Sequence, residues 1–234
     1  MQESDLFANA QALPQLRLPL LPLLYPIVDI DLLAARSLQF ASVAADWRAA
    51  GATLVQYRNK QGTAREMLRD AALLRELFPA SGDVRLIFND RPDLALLAGF
   101  DGVHVGQSDV AAEDARKIVG STRWVGVSTN SAEQVIEADK TSCDYIAYGP
   151  IFPTASKLNP DPTVGLIGLK AARALTAKPL VAIGGITRKN CRSVLDAGAD
   201  SLAVISDLLP SSHNGNADVE NPRRLAEEFL ALLG

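Results

Sequence analysis

Two cationic side chains, Arg58 and Lys60, lie two residues apart at the end of an apolar segment that also carries Gln56. In an extended strand, alternate side chains point to the same side, so these three would face one opening together. A guanidinium beside an ammonium suits a polyanion such as pyrophosphate. A charged loop in solvent explains the two cations equally well when they are considered alone.

Two carboxylates, Asp90 and Asp109, follow the next two apolar segments of the chain. Carboxylates at neighbouring strand ends can share a hard cation, and Mg²⁺ is commonly held by one or two of them together with water and phosphate oxygens. Each aspartate also has a simpler explanation, because Asp90 could cap a turn or a helix before Pro92 and Asp109 could cap the helix after it. Taken with the two cations, the carboxylates indicate one site for a metal and an anion.

The elements that must position these side chains are short strands alternating with helices. The predicted strands are mostly apolar without alternation, which is typical of parallel strands buried on both faces. They are Leu24–Asp29, Thr53–Arg58, Arg85–Asn89, Gly102–Val105, Trp124–Ser128, Tyr145–Tyr148, Leu180–Ile183 and Ser201–Ile205. The predicted helices are Leu32–Ala50, Thr63–Phe78, Pro92–Ala98, Val110–Val119, Ser131–Asp139, Leu166–Leu175, Lys189–Ala197 and Pro222–Leu233.

Eight strand–helix units in sequence predict a single (β/α)8 TIM barrel of the α/β class, formed by residues 24–234 as one catalytic domain. A weak repeat supports this count, because small-residue turns such as Ala197-Gly198-Ala199-Asp200 precede every second strand. An open doubly wound sheet is the alternative. That fold would be expected to carry a glycine-rich loop after its first strand, and Val28-Asp29-Ile30-Asp31 contains no glycine.

Two segments lie outside the repeating units. Residues 1–23 are predicted to be an extended N-terminal arm whose leucines dock on the barrel, since Pro14, Pro19 and Pro22 would break a helix. Residues 149–165 form the longest non-helical connection, and it leaves the C-terminal end of a strand, where active-site lids are found. We expect a lid there, with a tolerated insertion as the alternative.

The loops after the last two strands predict a second anion site. Barrels customarily bind phosphate at these loops, where backbone N–H groups point at the anion. Here the loops begin with Gly184-Gly185 and with Ile205-Ser206. Gly185 permits a close approach of the backbone, although a tight turn with positive φ also explains it. Two anion sites on one barrel mouth suggest that two anionic substrates are joined there.

The composition limits the classes of function. A net charge of −4 argues against a nucleic-acid groove, and no segment suggests a membrane span. Cys143 and Cys191 form no disulfide framework, so we expect a reducing, cytoplasmic location. His104 lies within an apolar strand and is predicted to be a core residue, and no nucleophile elbow or zinc motif is present. Catalysis by a metal, positive charge and positioning therefore fits better than catalysis by a nucleophile.

Several motifs, taken together and in order, resemble the thiamine phosphate synthase family. The resemblance runs from about Leu24 to Ser206. The sequence departs from the family pattern in strand 1, where the usual Thr before Asp29 is missing. Pro26 also removes a backbone donor there, so a ligand contact from strand 1 is not expected. The motifs are Gln56-x-Arg58-x-Lys60, Asn89-Asp90-Arg91-Pro92-Asp93-Leu94-Ala95, Asp101-Gly102-Val103-His104-Val105-Gly106-Gln107-Ser108-Asp109, Gly149-Pro150-Ile151-Phe152-Pro153-Thr154-x-Ser156-Lys157 and Ala182-Ile183-Gly184-Gly185-Ile186.

The resemblance implies a (β/α)8 transferase that joins 4-amino-5-hydroxymethyl-2-methylpyrimidine diphosphate to 4-methyl-5-(2-phosphooxyethyl)thiazole by a dissociative mechanism and releases pyrophosphate. It implies that Asp90 and Asp109 hold Mg²⁺ and that Gln56 orients the pyrimidine. The implied pyrophosphate contacts are Arg58, Lys60, Asn89, Ser128 and Lys157, of which all but Asn89 are expected to be catalytic. The implied thiazole phosphate contacts are Thr154, Ser156, Gly185, Ile205 and Ser206.

Two other functions remain open at this point. A thiazole tautomerase-like barrel would bind thiazole phosphate without condensing it and would not need the groups that hold a diphosphate. A non-catalytic barrel that binds thiamine precursors would not need the carboxylates that hold Mg²⁺. The sequence also leaves the oligomeric state open, a homo-oligomer included.

Overall fold

Eight short parallel strands form a closed barrel in which each strand pairs with the next and β8 pairs with β1. The structure is a computed structural model that describes residues 21–80, 82–154, 162–210 and 221–234. The predicted barrel is confirmed and the open doubly wound sheet is wrong. The strands are β1 (Leu24–Asp29), β2 (Leu54–Arg58), β3 (Arg85–Asn89), β4 (Gly102–Val105), β5 (Trp124–Thr129), β6 (Tyr145–Tyr148), β7 (Leu180–Ile183) and β8 (Ser201–Val204).

Helices surround the barrel, and none of those that the structure describes is long and apolar enough to cross a membrane. A short 3₁₀ helix, Ser206–Leu208, follows β8. Most predicted bounds are correct within two residues. The α-helices of the described ranges are α1 (Ile30–Ala35), α2 (Phe40–Ala49), α3 (Ala64–Leu77), α4 (Pro92–Leu97), α5 (Ala112–Val119), α6 (Ala132–Asp139), α7 (Gly165–Leu175), α8 (Cys191–Asp196) and α9 (Pro222–Leu233).

The prediction of one helix over Leu32–Ala50 is wrong, because the chain turns between α1 and α2. Ser37 has a φ of 55°, and the N–H of Leu38 donates to the carbonyl of Leu33 at 2.9 Å, which ends α1. The guanidinium of Arg36 reaches across to the carbonyls of Ser206, Leu209 and Pro210. The apolar periodicity continues through the break because both helices pack on the barrel.

Two apolar clusters hold the barrel together. The larger one lies between strands and helices and includes Trp47, whose indole N–H also donates to the carbonyl of Leu208 at 3.3 Å. The smaller one fills the barrel interior and includes Tyr25, Tyr145 and Leu21. Leu21 belongs to the predicted arm and is buried at 6% exposure, whereas residues 1–20 of the arm lie outside the described residues.

Candidate active site

A cavity of about 500 Å³ opens at the C-terminal ends of the strands, and all eight strands contribute to its lining. This is the end of a barrel at which chemistry is expected. Two residues named from the sequence, Ser156 and Lys157, lie outside the described residues. The cavity brings together every other predicted site residue, namely Gln56, Arg58, Lys60, Asn89, Asp90, Asp109, Ser128, Thr154, Gly185, Ile205 and Ser206.

Arg58 is held at the cavity wall by a carboxylate that sequence reasoning missed. Its guanidinium forms an ion pair with Asp29, which is only 3% exposed and lies beside Arg58 in the pairing of β1 with β2. The other carboxylate oxygen of Asp29 accepts a hydrogen bond from the N–H of Leu32 at 3.0 Å and caps α1. Asp29 therefore orients Arg58 from outside the cavity lining.

We expect Asp29→Asn to lower kcat/KM for the anionic substrate that Arg58 binds by about tenfold. The amide retains an oxygen for the N–H of Leu32 but loses the charge that fixes Arg58, and a hydrogen bond to a charged group contributes about 1.5–3 kcal/mol. Steady-state kinetics of the variant would measure the change. Asp31→Asn, on the exposed side of the same helix, is the matched control. Equal activity of the two variants would contradict the role of Asp29.

The two predicted metal ligands, Asp90 and Asp109, meet at the ends of β3 and β4. Burial and the neighbouring Asp109 carboxyl raise the pKa of Asp90 to about 6, although the ion pair with Lys60 acts in the opposite direction. Burial opposes ionisation of Asp109, but hydrogen bonds from the Asp90 carboxyl and from the N–H of Gly106, the latter at 2.8 Å, lower the pKa of Asp109. The negative charge of two close carboxylates exceeds the positive charge of one ammonium, so a cation bound between them would stabilise their ionised forms.

Neither carboxylate caps a helix, so the helix-capping explanation given to each from the sequence is wrong. The residue before α4 is Arg91 and the residue before α5 is Ala111. Asp90 instead has a φ of 65°, and its N–H donates to the carbonyl of His104 at 2.7 Å. A left-handed conformation at a residue other than glycine stores strain, and such residues cluster at functional sites.

The described residues contain no group of three or more histidine, cysteine or acidic side chains that could hold a metal. Asp90 and Asp109 therefore offer a site of two hard oxygen ligands that lacks the nitrogen and sulfur ligands of a zinc site. A cation bound there needs further oxygens. Water and substrate phosphate groups supply them for Mg²⁺, so these residues fit a magnesium ion shared with a phosphorylated substrate.

The opposite side of the cavity is formed by the loops after β7 and β8. Gly184 and Gly185 have φ values of 98° and 65°, which explains why glycine occupies both positions. The loop after β7 is tied to the 3₁₀ helix after β8, because the N–H of Arg188 donates to the Asp207 carboxylate at 2.7 Å. Arg36 holds the same helix through the carbonyl of Ser206 at 3.2 Å. The two predicted phosphate loops thus form one fixed surface.

The cavity floor contains polar residues that the sequence assigned to the core or did not predict. Tyr25 of β1 lines the cavity despite the neighbouring Pro26, so β1 does reach the space in which a ligand would bind. His104 is buried and bonded through both ring nitrogens, to Tyr145 and to Ser128, as a core histidine should be, yet it also lines the cavity. Burial lowers the pKa of His104 to about 4, so it is neutral at pH 7.

A second depression, of about 610 Å³, lies outside the barrel between α9 and the loop that follows β7. Its main cation, Arg188, is already paired with the carboxylates of Asp207 and Glu228. It contains none of the predicted site residues. Of these two depressions in the described part of the chain, the cavity at the barrel mouth is therefore the one that holds the predicted site residues.

Comparison with known proteins gives the family. The model of the family described as thiamine monophosphate synthase matches residues 24–208. The thiamine-phosphate synthase of Koribacter versatilis (strain Ellin345) is 54% identical over 215 residues, which cover 91% of this chain and 96% of that protein. The chain belongs to the thiamine monophosphate synthase family. As a member of this family it is a transferase, and the resemblance found in the sequence is confirmed.

Other members of the thiamine monophosphate synthase family agree in length and fold. The thiamine-phosphate synthase of Methanosarcina barkeri (strain Fusaro / DSM 804) is 37% identical over 188 residues, which cover 79% of this chain and 84% of that protein. The solved structure of thiamine phosphate pyrophosphorylase from Pyrococcus furiosus has a TM-score of 0.76 and 32% identity, and the match covers 90% of this chain and 94% of that one. The chain therefore has the same barrel fold as this thiamine phosphate pyrophosphorylase.

Proposed function

We propose that the chain condenses 4-amino-5-hydroxymethyl-2-methylpyrimidine diphosphate with 4-methyl-5-(2-phosphooxyethyl)thiazole to give thiamine phosphate and pyrophosphate, with Mg²⁺ as its cofactor. The observation that carries the proposal is the meeting of two cations, Arg58 and Lys60, with two carboxylates, Asp90 and Asp109, in one cavity. The glycine loop after β7 lies on the same cavity and supports a second anion site. Membership of the family supports the choice of substrates.

In the proposed reaction, the carbon–oxygen bond between the pyrimidine methylene and the diphosphate breaks, and its electron pair leaves with pyrophosphate. The thiazole nitrogen then gives its lone pair to the methylene carbon of the pyrimidine cation, and a carbon–nitrogen bond forms. Mg²⁺ on Asp90 and Asp109 would neutralise charge on the leaving diphosphate. Arg58, Lys60, Asn89 and Ser128 would bind its oxygens, and this electrostatic stabilisation acts where negative charge develops.

The remaining residues would align the two substrates. Gln56 would orient the pyrimidine ring, and Thr154, Gly185, Ile205 and Ser206 would seat the thiazole phosphate across the cavity. Holding two reactants in register can replace much of the entropy cost of a bimolecular reaction. We extend the proposal to Ser156 and Lys157 by the family pattern alone. The buried free thiols Cys143 and Cys191 support a reducing, cytoplasmic compartment.

The test is to mix both substrates with the purified protein and follow thiamine phosphate by chromatography, with Mg²⁺, with a chelator, and with Mg²⁺ restored. We expect formation that requires both substrates and falls by about 100-fold or more under chelation, since a metal contributes several kcal/mol to such a transition state. Binding of thiazole phosphate without any product would instead favour the tautomerase-like function. Binding of both substrates without product would favour the non-catalytic barrel.

A further inference from the structure

Five side chains form a continuous hydrogen-bonded row beneath the cavity, four of them also lining it, and we name this row the polar chain. The amide nitrogen of Gln56 donates to the hydroxyl of Tyr25 at 2.9 Å, and that hydroxyl lies 3.0 Å from the hydroxyl of Tyr145. The Tyr145 hydroxyl lies 3.1 Å from Nδ1 of His104. Nε2 of His104 lies 2.8 Å from the hydroxyl of Ser128. The polar chain therefore connects β2 to β5 through β1, β6 and β4.

The polar chain has one direction in which each hydroxyl or ring proton of Tyr25, Tyr145 and His104 has an acceptor within the row. The amide nitrogen of Gln56 can only donate, so the Tyr25 oxygen accepts and its proton goes to Tyr145. The Tyr145 proton then goes to Nδ1 of His104, which must carry a lone pair. A neutral imidazole with a bare Nδ1 carries its proton on Nε2, and that proton goes to the oxygen of Ser128. The hydroxyl proton of Ser128 is left to face the cavity.

The opposite direction is worse for the buried groups. The Tyr25 oxygen would then accept from both Gln56 and Tyr145, and its own proton would have no acceptor among the described residues. Tyr25 is 1% exposed, so a proton without a partner there is costly. Ser128 would then donate its hydrogen bond to Nε2 of His104. Only the lone pairs of its oxygen would face the cavity, and these lone pairs would repel an anion.

The rings of the polar chain have little freedom to change this arrangement. The Tyr145 ring crosses Gly126 so closely that a Cβ on Gly126 would lie 2.1 Å from Cζ of the tyrosine. The same ring stacks on His104 with a centroid distance of 5.6 Å and meets the Tyr25 ring edge-on at 6.2 Å. The positions of the hydroxyl and ring nitrogens are therefore fixed by packing as well as by their hydrogen bonds.

We propose that the polar chain is a one-way hydrogen-bond relay that holds His104 as the Nε2–H tautomer and thereby makes Ser128 a hydrogen-bond donor to the anion in the cavity. His104 and Tyr145 are then positioning residues, since they act on the anion through Ser128. The relay also links Gln56, on the pyrimidine side of the proposed site, to Ser128, on the pyrophosphate side. The identity of that anion as pyrophosphate rests on the proposed function, but the direction of the relay does not.

The tautomer of His104 tests the direction without any substrate. The chain has only two histidines, His104 and His213, so ¹⁵N-histidine labelling of the full chain gives a simple spectrum, and His213→Gln assigns it. We expect the long-range ¹H–¹⁵N correlation pattern of a neutral ring protonated at Nε2 in the wild type. In Gln56→Glu the carboxylate can only accept from the hydroxyl of Tyr25, which reverses every hydrogen bond of the row, so we expect the pattern of the Nδ1–H tautomer. A wild-type ring protonated at Nδ1 would overturn the proposal.

Kinetics test whether the relay acts through Ser128. Tyr145 is not among the described residues that line the cavity, so Tyr145→Phe removes no direct contact with substrate from the described wall. We expect it to lower kcat/KM for the diphosphate about tenfold, which is the effect of one hydrogen bond to an anion. In a Ser128→Ala background, the same substitution is expected to have no further effect. Tyr148→Phe, a buried tyrosine on the same strand outside the polar chain, is the control.

The outcomes separate the relay from the proposed function. A loss caused by Tyr145→Phe that persists in the Ser128→Ala background would mean a merely structural role and would overturn the relay. An equal loss in Tyr148→Phe would overturn it as well. A wild-type protein that makes no thiamine phosphate would refute the proposed function, whereas the tautomer of His104 would still decide the direction of the relay.

Discussion

Asp90→Asn is expected to lower kcat for thiamine phosphate formation by about 100-fold to 1,000-fold, the range seen when one group that stabilises transition-state charge is removed. The substitution keeps the size of the side chain and removes the charge that would hold Mg²⁺ on the diphosphate. Asparagine is the suitable replacement because Asp90 has a φ of 65°, which asparagine tolerates and alanine does not. Kinetics at saturating Mg²⁺ would measure the loss, and thiazole phosphate binding should remain nearly unchanged by calorimetry.

Asp93→Asn is the matched control for this prediction. Asp93 lies three residues further along, is half exposed and is paired with Arg91 rather than with a cavity residue. The Asp93→Asn protein should retain nearly full activity, because this substitution removes the same unit of charge from the same region and changes no residue of the cavity. If Asp90→Asn weakened the binding of both substrates equally, the separation into a metal-assisted site and a phosphate site would be wrong.

The strands could be predicted from the sequence because their signal is local. Each one is a short apolar run, and eight such runs separated by helices, without a glycine-rich loop after the first, favour a barrel over an open sheet. The same reasoning placed Arg58, Lys60, Asp90 and Asp109 at one opening, since side chains at the C-terminal ends of parallel strands must meet there. The cavity does bring these four residues together.

The sequence could not predict the pairings between distant residues, because these pairings depend on barrel closure. The ion pair of Asp29 with Arg58 follows from the register of β1 on β2, which no local pattern encodes. The contact between Tyr25 and Tyr145 joins residues 120 positions apart across the barrel interior. Period-two alternation would have placed Tyr25 and Ile27 on one face of β1, but nothing in that pattern decides which face points inward.

The break between α1 and α2 was missed for a related reason. The helical periodicity of Leu33, Val43 and Trp47 reports only which side faces the barrel, and both helices bury the same side. The turn is stabilised from elsewhere, by Arg36 donating to carbonyls after β8. This contact also fixes the 3₁₀ helix that carries Ser206. The contact of Arg36 thus supports the side of the cavity at which thiazole phosphate is proposed to bind.

Gly185→Ala is expected to raise the KM for thiazole phosphate by about 100-fold while the KM for the diphosphate stays nearly unchanged. A Cβ on Gly185 would lie 2.6 Å from the carbonyl oxygen of Pro153 and 2.7 Å from Cβ of Phe152, so the backbone of this loop must move. A displacement of about 1 Å at a substrate-positioning group can cost about 100-fold in rate. Steady-state kinetics with each substrate varied in turn would measure the selective loss.

The control for Gly185→Ala is Gly99→Ala, because the two glycines have nearly the same φ, 65° and 64°, and differ in their surroundings. A Cβ on Gly99 would have no atom within 4 Å, and Gly99 lies before β4, at the opposite end of the barrel from the cavity. Both variants should lose roughly 1–2 kcal/mol of unfolding free energy from the left-handed conformation. Only Gly185→Ala should lose affinity for thiazole phosphate, because only there does the new methyl group push the phosphate loop. A comparable KM change in Gly99→Ala would show that backbone strain, rather than the position of the loop after β7, limits binding. The proposed phosphate site at this loop would then be wrong.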